Sequence, residues 1–154
     1  MEQTLVIFKP SAIDRRLVGR IISRIEDKGF VIAGIKMMQL DEKLLREHYS
    51  HLVEKPFFPS LVESMTSTPV IVACLAGVEA VRVFREMTGV TNGRNAAPGT
   101  LRGDFCMSSQ TNIIHASDSV DNAKIELARF FMPEEIFDYL PSNVKYYYGD
   151  NEIA

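Results

Sequence analysis

The sequence predicts one mixed domain in which four short strands alternate with amphipathic helices. Its 154 residues match the size of an ordinary single domain, residues 1–154, with 140–154 as a C-terminal tail. Four runs rich in β-branched and apolar residues are bounded by Pro, Gly or Asn, and between them apolar residues recur at helical spacing. Alternation favours a parallel sheet, yet four strands with a helical hairpin between two of them equally fit a split βαβ arrangement.

The first run, Thr4-Leu5-Val6-Ile7-Phe8-Lys9, stops at Pro10 and leaves Lys9 at a strand end. Leu17, Ile21, Ile22 and Ile25 mark a helix, with Gly29 as its C-terminal cap after Lys28. Phe30 to Ile35 opens a second strand running towards Gln39, although the methionines there also suit a helix. Asp41 is the N-cap of a helix through His48. Pro56-Phe57-Phe58-Pro59 breaks it, and Leu61, Val62 and Met65 form a second short helix before Pro69. Val70 to Ala76 is the third strand, followed by a helix with Val78, Val81, Phe84 and Arg85 that ends near Gly89. Thr91 to Thr100 is dense in turn formers and reads as a surface loop. Asn112 to Ala116 is the fourth strand, and Ser117, Asp118 or Ser119 caps the helix running to Phe131. Pro133 starts a last short turn. The tail from Asn143 is polar apart from Tyr146-Tyr147-Tyr148 and is expected to order by packing on a neighbouring surface.

Composition excludes several classes. No apolar run approaches the roughly 20 residues that cross a bilayer, so no membrane span is expected. The N-terminus lacks the pattern of a signal peptide, which predicts a cytoplasmic chain. A net charge of -3 argues against a nucleic-acid surface. Cys74 and Cys106 have no metal-ligand spacing and read as buried small hydrophobes or free thiols. Neither GxxxxGK[ST] nor GxGxxG occurs.

Lys9, Arg85 and Arg102 each stand near an element end or the turn-rich loop, where they could converge on phosphates. An arginine fork donates in pairs to phosphate oxygens, but each of the three taken alone is an ordinary surface charge. His115 ends an apolar strand just before Ser117, Asp118 and Ser119, so a neutral ring nitrogen there could attack phosphorus; a structural histidine fits the same pattern. Glu126 follows on the next helix, where a carboxylate could hold the imidazole's tautomer.

Asn112-Ile113-Ile114-His115-Ala116-Ser117-Asp118-Ser119 resembles the active-site signature of the nucleoside diphosphate kinase family. Further matches run from Leu5 to Pro10 and through Glu47-His48-Tyr49, Lys55-Pro56-Phe57-Phe58, Ala97-Pro98-Gly99-Thr100 and Arg102-Gly103-Asp104-Phe105, leaving only the tail after Tyr139 outside. The resemblance implies an α+β, ferredoxin-like βαββαβ sandwich with a four-stranded antiparallel sheet. It implies ping-pong transfer of the γ-phosphate of a nucleoside triphosphate to a nucleoside diphosphate through a pros-phosphohistidine at His115, with little base specificity. Lys9 and Asn112 match the groups on the ribose 3′-hydroxyl, and Arg85, Thr91 and Arg102 match the phosphate binders. Phe57 and Leu61 match the pair that holds the base, where stacking gives affinity without discrimination. Tyr49, Ser117 and Glu126 match the residues around the histidine, and Mg²⁺ arrives on the nucleotide with Asp118 as an outer partner.

The chain departs from this pattern at Ser11 (usually Asp), at Arg16 (commonly Gly) and at Gly93 (often Pro). Ser11 is expected to alter how Lys9 is oriented, and Arg16 the turn before Leu17. Gly93 is expected either to loosen the loop or to occupy a positive-φ turn. The resemblance also implies a homohexamer, or a homotetramer as in some bacterial members. The retained Ala97 to Thr100 segment and a tail able to reach a neighbour favour the hexamer. Two rival readings are a catalytically silent nucleotide-binding scaffold and a histidine phosphocarrier fed by another protein.

Overall fold

Strands β1 (Glu2–Phe8), β2 (Val31–Met38), β3 (Val70–Gly77) and β4 (Ile114–Ala116) form one antiparallel sheet in the order β2, β3, β1, β4 in the computed structural model, which describes residues 1–153. The split βαβ arrangement is therefore the observed one. Since β1 and β2 both run antiparallel to β3, they are parallel to each other with β3 between them. Each crossover thus skips one position, which the other unit's strand fills. Alternation along the chain reads the crossovers correctly and says nothing about the inserted strand.

Helices α1 (Pro10–Asp14) and α2 (Val18–Lys28) join β1 to β2; α3 (Glu42–His48) and α4 (Phe58–Thr66) form the hairpin before β3. Helices α5 (Ala80–Thr88) and α6 (Leu101–Phe105) precede β4, and α7 (Val120–Phe130) follows it. β1 is apolar on both faces because both are covered: Val6 and Phe8 pack with Ile21, Ile25 and Phe84, while Leu5 and Ile7 pack with Leu45, Met65, Leu127 and Phe130. Local caps hold as expected, with Asp41 accepting from the Leu44 amide at 2.8 Å and Ser119 from the Asn122 amide at 3.1 Å. The Pro56 to Pro59 run separates α3 from α4 as expected, and Pro59 lies in the first turn of α4, where its missing N–H costs nothing. The fourth strand is shorter than expected, because the Asn112 side chain accepts from the Ile114 amide and turns the chain there.

The departures resolve differently. Arg16 holds φ at 55°, in the left-handed region where glycine is at ease, so the turn keeps its shape at a steric cost. Ser11 makes no side-chain hydrogen bond to Lys9 among the described residues. Gly93 follows neither expectation. Its φ is not positive, and it is buried against the Cys106 backbone, whose carbonyl oxygen would lie 2.2 Å from an added Cβ. Close approach of two segments, rather than looseness or handedness, accounts for the glycine.

The tail is ordered by packing, on a surface of its own chain. The Tyr147 ring lies against Gly29, itself at φ 97° as the C-cap of α2, and a Cβ there would meet the ring at 2.5 Å. Tyr148 accepts from the Val78 amide through its hydroxyl at 3.3 Å, and the Tyr139 hydroxyl donates to the Ile32 carbonyl at 3.0 Å.

Candidate active site

A cavity of about 810 Å³ opens where β4 meets α3, α7 and the loop before α6. Lys9, Tyr49, Arg85, Thr91, Arg102, Asn112, His115, Asp118 and Glu126 all line it. Register explains part of this convergence. Pairing of Ile7 with His115 sets the histidine beside the end of β1, and the Lys9 amide donates to the Ile113 carbonyl at 2.9 Å. Residues more than a hundred positions apart thereby share one wall.

His115 is held on one side by Glu126, whose Oε2 lies 3.2 Å from Nε2. The same oxygen accepts from the Ser117 hydroxyl at 2.5 Å, and that hydroxyl accepts from the Leu5 amide at 3.2 Å. Burial works to raise the Glu126 pKa, but hydrogen bonds and charge from His115, with help from Ser117 and His48, lower it below the ordinary carboxylate value. An ionised Glu126 only accepts, so the imidazole proton sits on Nε2. The lone pair of Nδ1 remains for an electrophile.

The cations crowd one another. Burial first, then the neighbouring Arg102, pushes the Lys9 amine down to about 8. Arg102 donates through Nη1 to the Gly89 carbonyl and through Nη2 to the Ile114 carbonyl, both at 2.8 Å, and its buried Nε has no partner among the described residues. Three of its five N–H donors stay available. An anion among Lys9, Arg85 and Arg102 would relieve their repulsion and supply acceptors.

Tyr49 is kept protonated, since burial and then Glu126 raise its phenol to about 12; its buried hydroxyl is unpartnered among the described residues. Asn112 is buried and committed to the backbone, donating to the Ser109 carbonyl at 3.2 Å besides accepting from Ile114. Asp118 accepts from the Asn122 side-chain Nδ2 at 2.6 Å through Oδ1, and its Oδ2 has no partner among the described residues. Phe57 and Leu61 do not line the cavity: Phe57 is half exposed at the start of α4, and Leu61 packs against the core beneath β3. A smaller cleft of about 310 Å³ beside Gly29 and the tail carries Glu26 and no cation.

Sequence reasoning overlooked His48 and Arg129. The His48 ring stands edge-on to His115, with centroids 4.8 Å apart and planes at 73°. Arg129 donates from Nη1 to His48 Nδ1 at 3.0 Å. The available signal was spacing: Glu126 and Arg129 are three residues apart and share a face of α7. His48, His115 and Glu126 bring one ligand-type atom each within 4.8 Å of one another, as a metal site would. Within that set, Arg129 donates to His48 Nδ1 and Ser117 to Glu126 Oε2.

The family described as "Nucleoside diphosphate kinase" matches residues 2–136. A nucleoside diphosphate kinase of Parabacteroides distasonis is 54% identical over 153 residues, covering 99% of this chain and 100% of that protein. Nucleoside diphosphate kinase A of Homo sapiens is 48% identical over 138 residues, covering 90% and 91%. Among solved structures, a halophilic nucleoside diphosphate kinase from Halobacterium salinarum in complex with CDP superposes with a TM-score of 0.92 at 39% identity, covering 96% of this chain and 99% of that one.

Proposed function

Because the chain belongs to the nucleoside diphosphate kinase family and is a phosphotransferase of that kind, we propose that it moves the γ-phosphate of a nucleoside triphosphate to a nucleoside diphosphate through His115. The observation that carries this reading is the Ser117–Glu126–His115 chain, which leaves the Nδ1 lone pair free in a cavity also lined by Lys9, Arg85 and Arg102. In the first half-reaction Nδ1 bonds to the γ-phosphorus as the bond to the bridging oxygen breaks, and the diphosphate leaves. Glu126 then faces a cationic ring through Nε2–H and stabilises it. The second half-reaction is the reverse, on a second diphosphate in the same pocket.

Phosphoryl transfer rests on positioning and charge stabilisation, which Lys9, Arg85, Arg102 and Thr91 supply around the phosphates. Lys9 and Asn112 bind the ribose 3′-hydroxyl, Tyr49 orients the histidine from the α3 side, and Phe57 with Leu61 receives the base. For those two to reach it, the base must extend beyond the cavity lining towards α4.

The donor set suits Mg²⁺ carried by the nucleotide: the Oδ2 of Asp118, without a hydrogen-bond partner among the described residues, matches a hard cation held mainly by phosphates and water. When bound, the ion neutralises phosphate charge. We also place the protein in the cytoplasm, where its two buried free thiols suit a reducing compartment. No helix among the described residues is long and apolar enough to cross a membrane. A homohexamer is the proposed assembly, with a homotetramer as the alternative. The edge of β2 that no other strand covers, where Ile35 and Met37 are exposed, supports association, whereas the tail, lying on its own chain, does not decide between the two.

Incubation with γ-labelled ATP and Mg²⁺ tests the reading. Label should enter the protein, pass to any added nucleoside diphosphate, and fail to enter His115→Ala. A silent scaffold binds nucleotide without label, and a phosphocarrier takes label only from a partner protein.

A further inference from the structure

We infer that Arg129 is a positioning residue for the phosphate-accepting histidine, acting through His48, whose ring it locks in one tautomer and one orientation against His115. The inference rests on the reading of His115 as the nucleophile. A guanidinium is always protonated and only donates, so its contact with His48 Nδ1 at 3.0 Å requires a lone pair on that nitrogen. A neutral ring then carries its proton on Nε2. That atom is buried and has no hydrogen-bond partner among the described residues, so Arg129 provides the ring's one hydrogen bond.

The surroundings agree with a neutral ring. From α7 His48 faces Glu126 and Arg129, from β4 it faces His115, and from its own stretch of chain it faces His51; the Tyr49 and Phe130 rings stand edge-on at 4.6 and 5.0 Å. Burial and then His115 lower its pKa to about 3, with Arg129 and His51 adding to the effect and only Glu126 opposing it.

Geometry passes the constraint on. Glu126 and Arg129 project from one face of α7, one turn apart, and each grips an imidazole: the carboxylate accepts from His115, and the guanidinium donates to His48. At 3.2 Å the His115–Glu126 contact is long, and its acceptor oxygen is shared with Ser117, so it leaves the His115 ring latitude to rock. The His48 ring at 73° removes that latitude. Arg129 is itself fixed by burial and by Glu47, whose carboxylate lies 3.4 Å from Nε as an ion pair without a hydrogen bond.

The experiment measures single-turnover phosphorylation of His115 by γ-labelled ATP and Mg²⁺, together with nitrogen-15 NMR of the His48 ring, in the full chain. Arg129→Met should slow phosphorylation roughly tenfold, the lower end of what loss of such a supporting partner costs, with nucleotide KM nearly unchanged. Its His48 spectrum should change from a single Nε2–H tautomer to a mixture. Arg129→Lys, which keeps a donor, should restore much of both. In a His48→Phe background, Arg129→Met should add little further loss. An equal loss in that background, a raised KM at unchanged rate, or an unaltered His48 tautomer in Arg129→Met would each overturn the inference. Absence of label from the unsubstituted chain would instead defeat the reading of His115, while the NMR arm, which needs no turnover, still reports on Arg129.

Discussion

Gly93→Pro is expected to destabilise the protein, against the common rule that proline stiffens a loop to advantage. A Cβ at position 93 would sit 2.2 Å from the Cys106 carbonyl oxygen, 2.4 Å from its carbon and 2.5 Å from its Cβ. Two of those atoms are backbone, so relief requires the segment itself to move. Overpacking of this kind costs about 1–3 kcal/mol. Proline's restriction of the unfolded chain returns only about 0.4–1 kcal/mol. The lost amide bond to the Ser108 carbonyl, 3.5 Å long, adds little. The net loss is centred on about 1 kcal/mol and is at most about 2.6 kcal/mol, and each kcal/mol lowers the unfolding midpoint by roughly 2–4 °C for a chain of this size. Because the Cys106 amide bonds to the Arg102 carbonyl at 2.9 Å, displacement of Cys106 should also move α6 and raise KM for nucleotides. Calorimetry at matched protein and nucleotide concentrations reads the first effect, and steady-state kinetics the second. Gly93→Ala, which adds the Cβ but keeps the amide, should fall in the same direction. A higher midpoint for the proline variant would refute the steric argument.

Three further expectations follow from particular groups. Lys9, with a folded pKa of about 8 against 10.5, should lose its charge as pH rises through 8, so kcat/KM should fall there and Lys9→Met should lack that limb. The sign for stability is opposite: between about 8 and 10.5 the unfolded chain binds the extra proton, so Lys9's burial penalty, full below 8, is relieved as pH rises, and chemical denaturation of Lys9→Met should lack this gain. Arg16→Gly removes a left-handed penalty of about 1–2 kcal/mol and costs about 0.5–1 kcal/mol in unfolded-chain freedom. Its melting midpoint should rise slightly, and a fall would mean that the Arg16 side chain contributes more than its backbone costs. Phe57→Ala should weaken binding of every nucleotide alike by roughly 1–3 kcal/mol, measured by titration calorimetry; a marked shift in guanine-versus-cytosine preference would contradict stacking.

Elements closed by contacts within a few residues were legible in the chain alone. Asp41 and Ser119 cap amides three residues away, and Gly29 ends α2 in the one conformation glycine favours, so the sequence carries those helix ends whole. His115 was legible by its signature, and Glu126 by its place on the following helix. What pattern could not supply was set by contacts across tens of residues. Sheet direction depends on which strand enters the gap left by each crossover, and no local periodicity encodes that choice. His48 joins the site because Arg129, 81 positions away, claims its ring nitrogen. Gly93 is glycine because Cys106 lies against it, and the tail lies down because Tyr147 meets Gly29 and Tyr148 meets Val78. Local chemistry acts through bonds and near neighbours and can be read in order; steric exclusion and long-range pairing exist only once the chain has folded, so only the tertiary structure decided them.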